Sequence, residues 1–181
     1  MGVPKIAMGD KVLFLDRDGV INEAKVINGR PYPPSCIDDV AIPSGLQELL
    51  KDIKSSGYKL IVVTNQPDVA RRKQTIQATE EINNYLKLEL DLDEVRTCYH
   101  DDSDKCFCRK PNPGLLLMSS GDVNFNASYL VGDRKKDIDA GINVGCKTIF
   151  IDHGYDEIKP TNSDYVIKSI LQIGPILGVQ R

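Results

Sequence analysis

The sequence predicts an α/β fold, a Rossmann-like parallel sheet with helices on both faces. Three observations predict it. Short apolar runs alternate with amphipathic helical stretches along the chain. The runs in "VLFLD", "KLIVVTN" and "YLVGD" lack the apolar-polar alternation of a half-exposed strand, as befits strands buried on both faces. Each ends in polar residues, and ligands of such sheets bind beyond the carboxyl ends of the strands. The pattern fits a single domain over residues 1–181, with no internal repeat, low-complexity tract or linker.

The elements follow in order. "VLFLD" (12–16) is short enough to favour a strand over a helix fragment. A Pro-rich loop, "INGRPYPPS", comes next. "SGLQELLKDIKSSG" is the clearest helix, with Leu46, Leu49, Leu50 and Ile53 on one face. Ser44 and Gln47 fit a capping box at its start, and Gly57 suits its end. "KLIVVTN" (59–65) is the second strand. "TIQATEEINNYLKLEL" is the second helix, with Ile82, Leu86 and Leu90 along one side. Asn112 can cap a short helix with Pro113 in its first turn. "YLVGD" (129–133) is the third strand, and "DIDAGINVG" is a helix ending at Gly145. "KTIFID" and "DYVI" add further strands.

Composition excludes several function classes. A hydrophobic fraction of 41% and a charged fraction of 27% suit a globular protein rather than a disordered one. A net charge of -3 gives no general attraction to nucleic acid or anionic membrane. No apolar run reaches membrane-spanning length. "MGVPKIAMGD" has neither a signal peptide's apolar core nor the Ser or Thr of a myristoylation site. A cytoplasmic location is the expectation, and there clustered cysteines point to metal or redox chemistry rather than disulfides.

Three strand ends carry unusual chemistry: Asp16 and Asp18 in "FLDRDGV", Thr64 in "VVTNQ", and Asp133 and Asp137 in "LVGDRKKD". Each has an ordinary reading alone. Asp-x-Asp-Gly suits a turn, Thr a helix cap, and the last two carboxylates a helix start. Together, in order and at strand ends, they suit phosphoryl transfer through an aspartate. A phosphate dianion repels a carboxylate until a hard cation neutralises it. Asp16 and Asp133 can share one Mg²⁺, and Asp16 can attack phosphorus. Asp18 can protonate the leaving oxygen and later deprotonate water. Thr64 offers a hydroxyl and Lys110 an ammonium for the phosphoryl oxygens.

"LDRDGV", "VVTN", "CRKP" and "VGDRKKD", spanning residues 13 to 137, resemble the four ordered motifs of the haloacid dehalogenase-like (HAD) phosphatase superfamily. The resemblance implies Asp16 as nucleophile, Asp18 as acid and base, and Thr64 and Lys110 as phosphoryl stabilisers. It implies Mg²⁺ held by Asp16, the backbone carbonyl of Asp18, and Asp133, with Asp137 supporting the metal indirectly. The second acid, Asp18, favours phosphatases over the superfamily's dehalogenases.

Cys98, His100, Cys106 and Cys108 form C-x-H…C-x-C, a donor set that zinc prefers and that can close a tetrahedron. A closed shell leaves no position for substrate, which argues for structure. The x-spacings differ from nucleic-acid fingers. Cys36 and Cys146 are expected to be buried thiols, and His153 a loop residue. The cluster followed by "RKP" resembles a zinc-containing subgroup that includes D-glycero-D-manno-heptose 1,7-bisphosphate phosphatases and histidinol-phosphate phosphatases. That resemblance implies structural Zn²⁺ and no large cap domain. It also implies Arg109, Asn65 and Gln66, with Thr64, at the substrate. After "TNQ" the heptose enzymes read "SGIARG" where this chain reads "PDVARR", a departure beside the substrate.

The expected function is a Mg²⁺-dependent phosphomonoesterase on a small phosphorylated metabolite, a heptose bisphosphate first and histidinol phosphate second. Arg30, Lys25 and Arg71 are candidates for a second phosphate; Glu23 and Asp68 would suit a cationic imidazole. A zinc-stapled binding protein on a dead phosphatase fold predicts loss of Asp16, Asp18, Lys110 or Asp133, and none is lost. A kinase would need a Gly-rich nucleotide loop, and none is found. No nucleic-acid or membrane partner is expected, and the chain is expected to act as a monomer.

Overall fold

The computed structural model describes residues 9–118 and 121–179. The reading of the first residues for a leader or lipid signal falls largely on 1–8, outside the described residues. Six parallel strands form one sheet in the order β5-β4-β1-β6-β7-β8. They are β1 (Lys11–Leu15), β4 (Tyr58–Asn65), β5 (Glu94–Cys98), β6 (Tyr129–Gly132), β7 (Lys147–Ile151) and β8 (Tyr165–Ile167). In register, Leu13 of the central strand faces Leu60 on one side and Tyr129 on the other.

Alternation along β1 explains the two cores. Leu13 and Leu15 join one cluster, with Leu49, Leu50 and Ile53 of α1 (Leu46–Ser55) and Ile82 and Leu86 of α3 (Ile76–Glu89). Val12 and Phe14 join the other, with Leu115 and Leu116 of α4 (Gly114–Leu117) and Ala140 of α5 (Lys135–Val144). Helices therefore cover both faces, as a parallel sheet requires. Two shorter helices are α2 (Pro67–Ala70) and α6 (Ile173–Ile176).

The chain runs from β1 outward through β4 to β5, then crosses back to β6 on the other side of β1. The crevice between β1 and β6 is thus the switch point at which such sheets bind ligands. Asp16 follows β1 and Asp133 follows β6, one on each side of it. Among the described residues no second domain lies between the strands. Beside the crevice the described residues add one further sheet, the antiparallel hairpin β2 (Lys25–Ile27) and β3 (Arg30–Tyr32).

Several local expectations are corrected. Residues 27–35 are not all loop, because Asn28 and Gly29, at φ 49° and 74°, turn the hairpin in the geometry that Asn-Gly favours. The capping box at α1 does not form. Gly45, left-handed at φ 86°, takes the cap position, and the Leu46 amide donates to the Pro43 carbonyl instead. Pro113, not Asn112, precedes α4, and the Asn112 side-chain Nδ2 donates to the Cys106 carbonyl at 2.8 Å. Cys36 is exposed just before the short turn Ile37–Asp39, whereas Cys146 is buried as expected. The strand β5, which carries Cys98, was not expected.

Candidate active site and cysteine cluster

The carboxyl ends of the strands open into a cleft of about 520 Å³. Asp16, Asp18, Thr64, Asn65, Gln66, Arg109, Lys110, Asp133 and Asp137 all line it. The sequence had placed these residues together from four separate segments, and the fold brings them together.

Lys110 is the hub. Its side chain is fully enclosed, with Nζ 2.8 Å from Asp16 Oδ1, 2.6 Å from Asp137 Oδ1 and 2.6 Å from the Val63 carbonyl. Burial pulls its ammonium down, but the Asp137 and Asp16 carboxylates outweigh this and hold it above its ordinary value. Asn65 fixes the backbone here. Its amide donates to the Lys110 carbonyl and its oxygen accepts from the Lys110 amide, both at 3.1 Å. Asn65 thus spends its side chain on Lys110 rather than on the open cleft.

Carboxylate oxygens of Asp16, Asp133 and Asp137 lie within 4.8 Å of one another. Burial, then repulsion from Asp137, push the Asp16 carboxyl up to about 6, against the pull of Lys110. Burial, then Asp16 and Asp137, push Asp133 well above the usual range. Both Asp133 oxygens are buried and accept no hydrogen bond of normal geometry, although the Tyr155 phenol lies beside them. Three carboxylates around one ammonium leave an excess negative charge in a buried place. Oxygen ligands, excess charge and orphaned acceptors together fit a hard divalent cation.

Asp18 is saturated with donors. Arg17 gives Nε at 3.1 Å to Oδ1 and Nη2 at 3.0 Å to Oδ2, and Gln66 gives Nε2 at 2.8 Å to Oδ2. The same Gln66 amide nitrogen lies 2.9 Å from Thr64 Oγ1 and donates to it, leaving the Thr64 proton free for the cleft. Arg17 is a residue that sequence reasoning missed. It lies inside a motif whose other members are aspartates, and nothing in the sequence marks its burial.

The cysteine cluster is compact. Cys108 Sγ lies 3.2 Å from Cys98 Sγ and 3.4 Å from Cys106 Sγ, and His100 Nδ1 lies 3.3 Å from Cys108 Sγ. Cys98 and Cys106 are 3.7 Å apart. A tetrahedral zinc site has edges of about 3.7 Å between sulfurs at its usual bond length, so the set fits zinc. All three cysteines are free thiols. Directly after Cys108 the segment turns into Arg109, whose Nε is 2.8 Å from Asp102 Oδ1 and whose Nη1 is 3.3 Å from the His100 carbonyl.

Around the rim, most cations are already paired. Arg71 forks onto Asp101, Arg134 onto Glu157, and Lys136 reaches Asp102. Arg30 and Lys73 line the cleft without an ion pair among the described residues. Lys25 and Glu23 do not line it. His153 is in the loop after β7, with Nε2 2.7 Å from the Gly19 carbonyl.

A parallel sheet with an acidic, lysine-centred cleft at its switch point defines the class of Rossmann-like α/β proteins. Comparison narrows it. Residues 107–173 match the HAD-hydrolase-like family model. The D-glycero-β-D-manno-heptose-1,7-bisphosphate 7-phosphatase of Helicobacter pylori is 36% identical over 146 residues, which cover 76% of this chain and 81% of that protein. The enzyme of the same name from Pasteurella multocida is 33% identical over 187 residues, covering 92% and 96%. In fold, the chain is similar to a D,D-heptose 1,7-bisphosphate phosphatase from B. bronchiseptica complexed with magnesium and phosphate. The TM-score is 0.74 at 22% identity, covering 92% of this chain and 97% of that one. The chain belongs to the HAD-like family of phosphatases.

Proposed function

We propose that the protein is a Mg²⁺-dependent phosphomonoesterase that removes the 7-phosphate of D-glycero-D-manno-heptose 1,7-bisphosphate. The observation that carries the chemistry is the buried group of Asp16, Asp133 and Asp137, two of them paired with Lys110, with both Asp133 oxygens accepting no hydrogen bond of normal geometry. The names and coverage of the relatives support the substrate.

In this reading Asp16 attacks phosphorus, and the leaving oxygen departs with the bonding electrons and takes a proton from Asp18. Lys110 and the Thr64 hydroxyl meet the charge that gathers on the phosphoryl oxygens. Asp18 then takes a proton from water, which attacks the aspartyl phosphate, releases inorganic phosphate and restores Asp16. Asp16, the Asp18 carbonyl and Asp133 would hold Mg²⁺, with Asp137 in support. The ion supplies the positive charge that lets a carboxylate approach a phosphate dianion. Cys98, His100, Cys106 and Cys108 would hold Zn²⁺, which would serve structure by fixing the segment that carries Arg109 and Lys110 to the cleft.

The rim favours the heptose bisphosphate over histidinol phosphate. Arg30 and Lys73, without an ion pair among the described residues, stand ready for a second anionic group. Asp68, the carboxylate that would meet an imidazole, lies 3.6 Å from Arg71, and Glu23 is outside the cleft. Arg71, a candidate for the second phosphate, is taken up by Asp101.

The test compares kcat/KM, with Mg²⁺, for both anomers of the heptose bisphosphate, histidinol phosphate and simple sugar phosphates. The heptose bisphosphate is expected to lead by about 10-fold, the order that two charge contacts at an exposed rim supply. A flat profile overturns the substrate. Asp16→Asn is expected to cut turnover by about 10⁴-fold or more with the fold intact; substantial activity in a pure sample overturns the nucleophile.

A further inference from the structure

Arg17 stands between the two aspartates of "LDRDGV", and its side chain is 1% exposed. Its guanidinium reaches Asp18 from behind by three contacts of 3.0 to 3.2 Å. Its remaining nitrogen, Nη1, donates at 2.9 Å to Asn83 Oδ1 on α3. Asn83, also buried, donates to Thr97 Oγ1 on β5 at 3.0 Å and to Glu80 Oε1 at 3.1 Å. Tyr99 donates to the same Glu80 oxygen. The guanidinium is therefore gripped at both ends, by the helix and strand behind it and by Asp18 ahead.

Stability does not require this arrangement. A buried ion pair is commonly matched or bettered by apolar side chains of similar size. A planar fork adds what apolar packing cannot, a fixed orientation for the carboxylate it holds. Of the carboxylates in the cleft, Asp18 is the one that must face a leaving oxygen and then a water. A misplacement of about 1 Å in such a group costs on the order of 10²-fold in rate.

We propose that Arg17 is a positioning residue, braced by Asn83 against α3 and β5, that aims the Asp18 carboxylate at the leaving oxygen. This rests on the reading of Asp18 as the acid. It concerns orientation and leaves Asp16, Lys110 and the cation site untouched.

Leaving-group dependence separates aiming from folding. A sugar alkoxide needs a proton as it leaves, whereas p-nitrophenolate does not. The value of kcat/KM reports formation of the aspartyl phosphate, the step in which that proton moves. Wild type, Asp18→Asn, Arg17→Lys and Asn83→Ala are compared on p-nitrophenyl phosphate and on the sugar phosphate with the highest kcat/KM. Asp18→Asn is expected to lose about 10²-fold or more on the sugar ester beyond its loss on the aryl ester. Arg17→Lys is expected to follow the same pattern with an excess loss of about 10-fold, and Asn83→Ala with one of about 3-fold. Should Arg17→Lys not fold, Asn83→Ala, which keeps the guanidinium, carries the test. Equal losses on the two esters in the folded variants, while Asp18→Asn discriminates, mean that Arg17 only braces the fold and overturn the proposal. Absence of discrimination in Asp18→Asn overturns the acid reading and this proposal with it.

Discussion

The two chemical centres of the molecule are built in opposite ways. The carboxylate and lysine centre is long-range, with 94 positions between Asp16 and Lys110. The cysteine centre is local, all within residues 98–108. The first is in tension: buried negative charge exceeds its cation, and the two oxygens of Asp133 accept no hydrogen bond of normal geometry. The second closes on itself, with three sulfurs and an imidazole nitrogen facing one another. Unsatisfied groups mark where a ligand belongs, whereas four donors that can close a tetrahedron suit a brace. The two meet in two residues, Arg109 and Lys110, which leave the brace and enter the cleft.

The sharpest way to part them lies at Gly19. It sits at φ 83°, and a Cβ there would fall 1.8 Å from Asp133 Oδ2 and 3.1 Å from the Tyr155 hydroxyl. Gly19→Ala must therefore displace Asp133 as well as strain the backbone. Turnover is expected to fall about 10³-fold and Mg²⁺ affinity with it, while zinc content stays at one per chain. Near-normal turnover would mean that Asp133 is not where the reaction needs it. Loss of zinc as well would mean that the cysteine cluster depends on the carboxylate centre for its assembly.

The converse experiment empties the brace. Cys108→Ser, or zinc removal at constant Mg²⁺, is expected to lower kcat/KM by about 10- to 100-fold, the usual effect of losing groups that orient a site. Amide exchange is expected to quicken from Cys106 to Lys110, while β1 and β6 stay protected. Unchanged catalysis in verified zinc-free protein would sink the structural role. The expected ordering, with Gly19→Ala the more severe, is itself a test of which centre does chemistry.

What the sequence disclosed follows the same division. The strands β1, β4 and β6 were legible because buried parallel strands are apolar throughout, and their polar ends then stood out. The strand β5 was not. "EVRTC" carries Arg96 on a buried face, where its guanidinium donates at 2.7 Å to the Leu115 carbonyl and pairs with Glu94. A buried arginine breaks the apolar run from which a strand is read. Arg17 escaped for a related reason, since its partners lie 66 positions away on α3. Asn65 was legible as a site residue but not in its role, because its partner is the backbone of Lys110, which no pattern displays. The cysteine cluster was fully legible, as local donor sets are. The hairpin signal, Asn28-Gly29, was present and hidden among prolines.

The smallest effect expected is one of pH, and it tests the tension directly. Burial and Asp137 raise the Asp16 carboxyl from 3.8 to about 6, and Asp133 moves in the same direction. A carboxyl raised on folding binds its proton more tightly in the folded chain than in the unfolded one. Across the window from about 4 to about 6, the folded state therefore holds more protons, and these groups make stability fall as pH rises. Other carboxylates work the opposite way. Asp101, held low by Arg71, and Asp102, held low by Arg109 and Lys136, favour the folded state once pH exceeds their unfolded values. The difference between wild type and Asp16→Asn isolates the term of interest. In zinc-loaded, Mg²⁺-free protein, the Tm of wild type relative to Asp16→Asn is expected to drop by a few degrees from pH 4.5 to pH 7. Mg²⁺ is expected to cancel most of that drop, because the cation replaces the proton as the partner of the same oxygens. A Tm difference independent of pH, or one insensitive to Mg²⁺, would mean that Asp16 is not the strained group the geometry makes it.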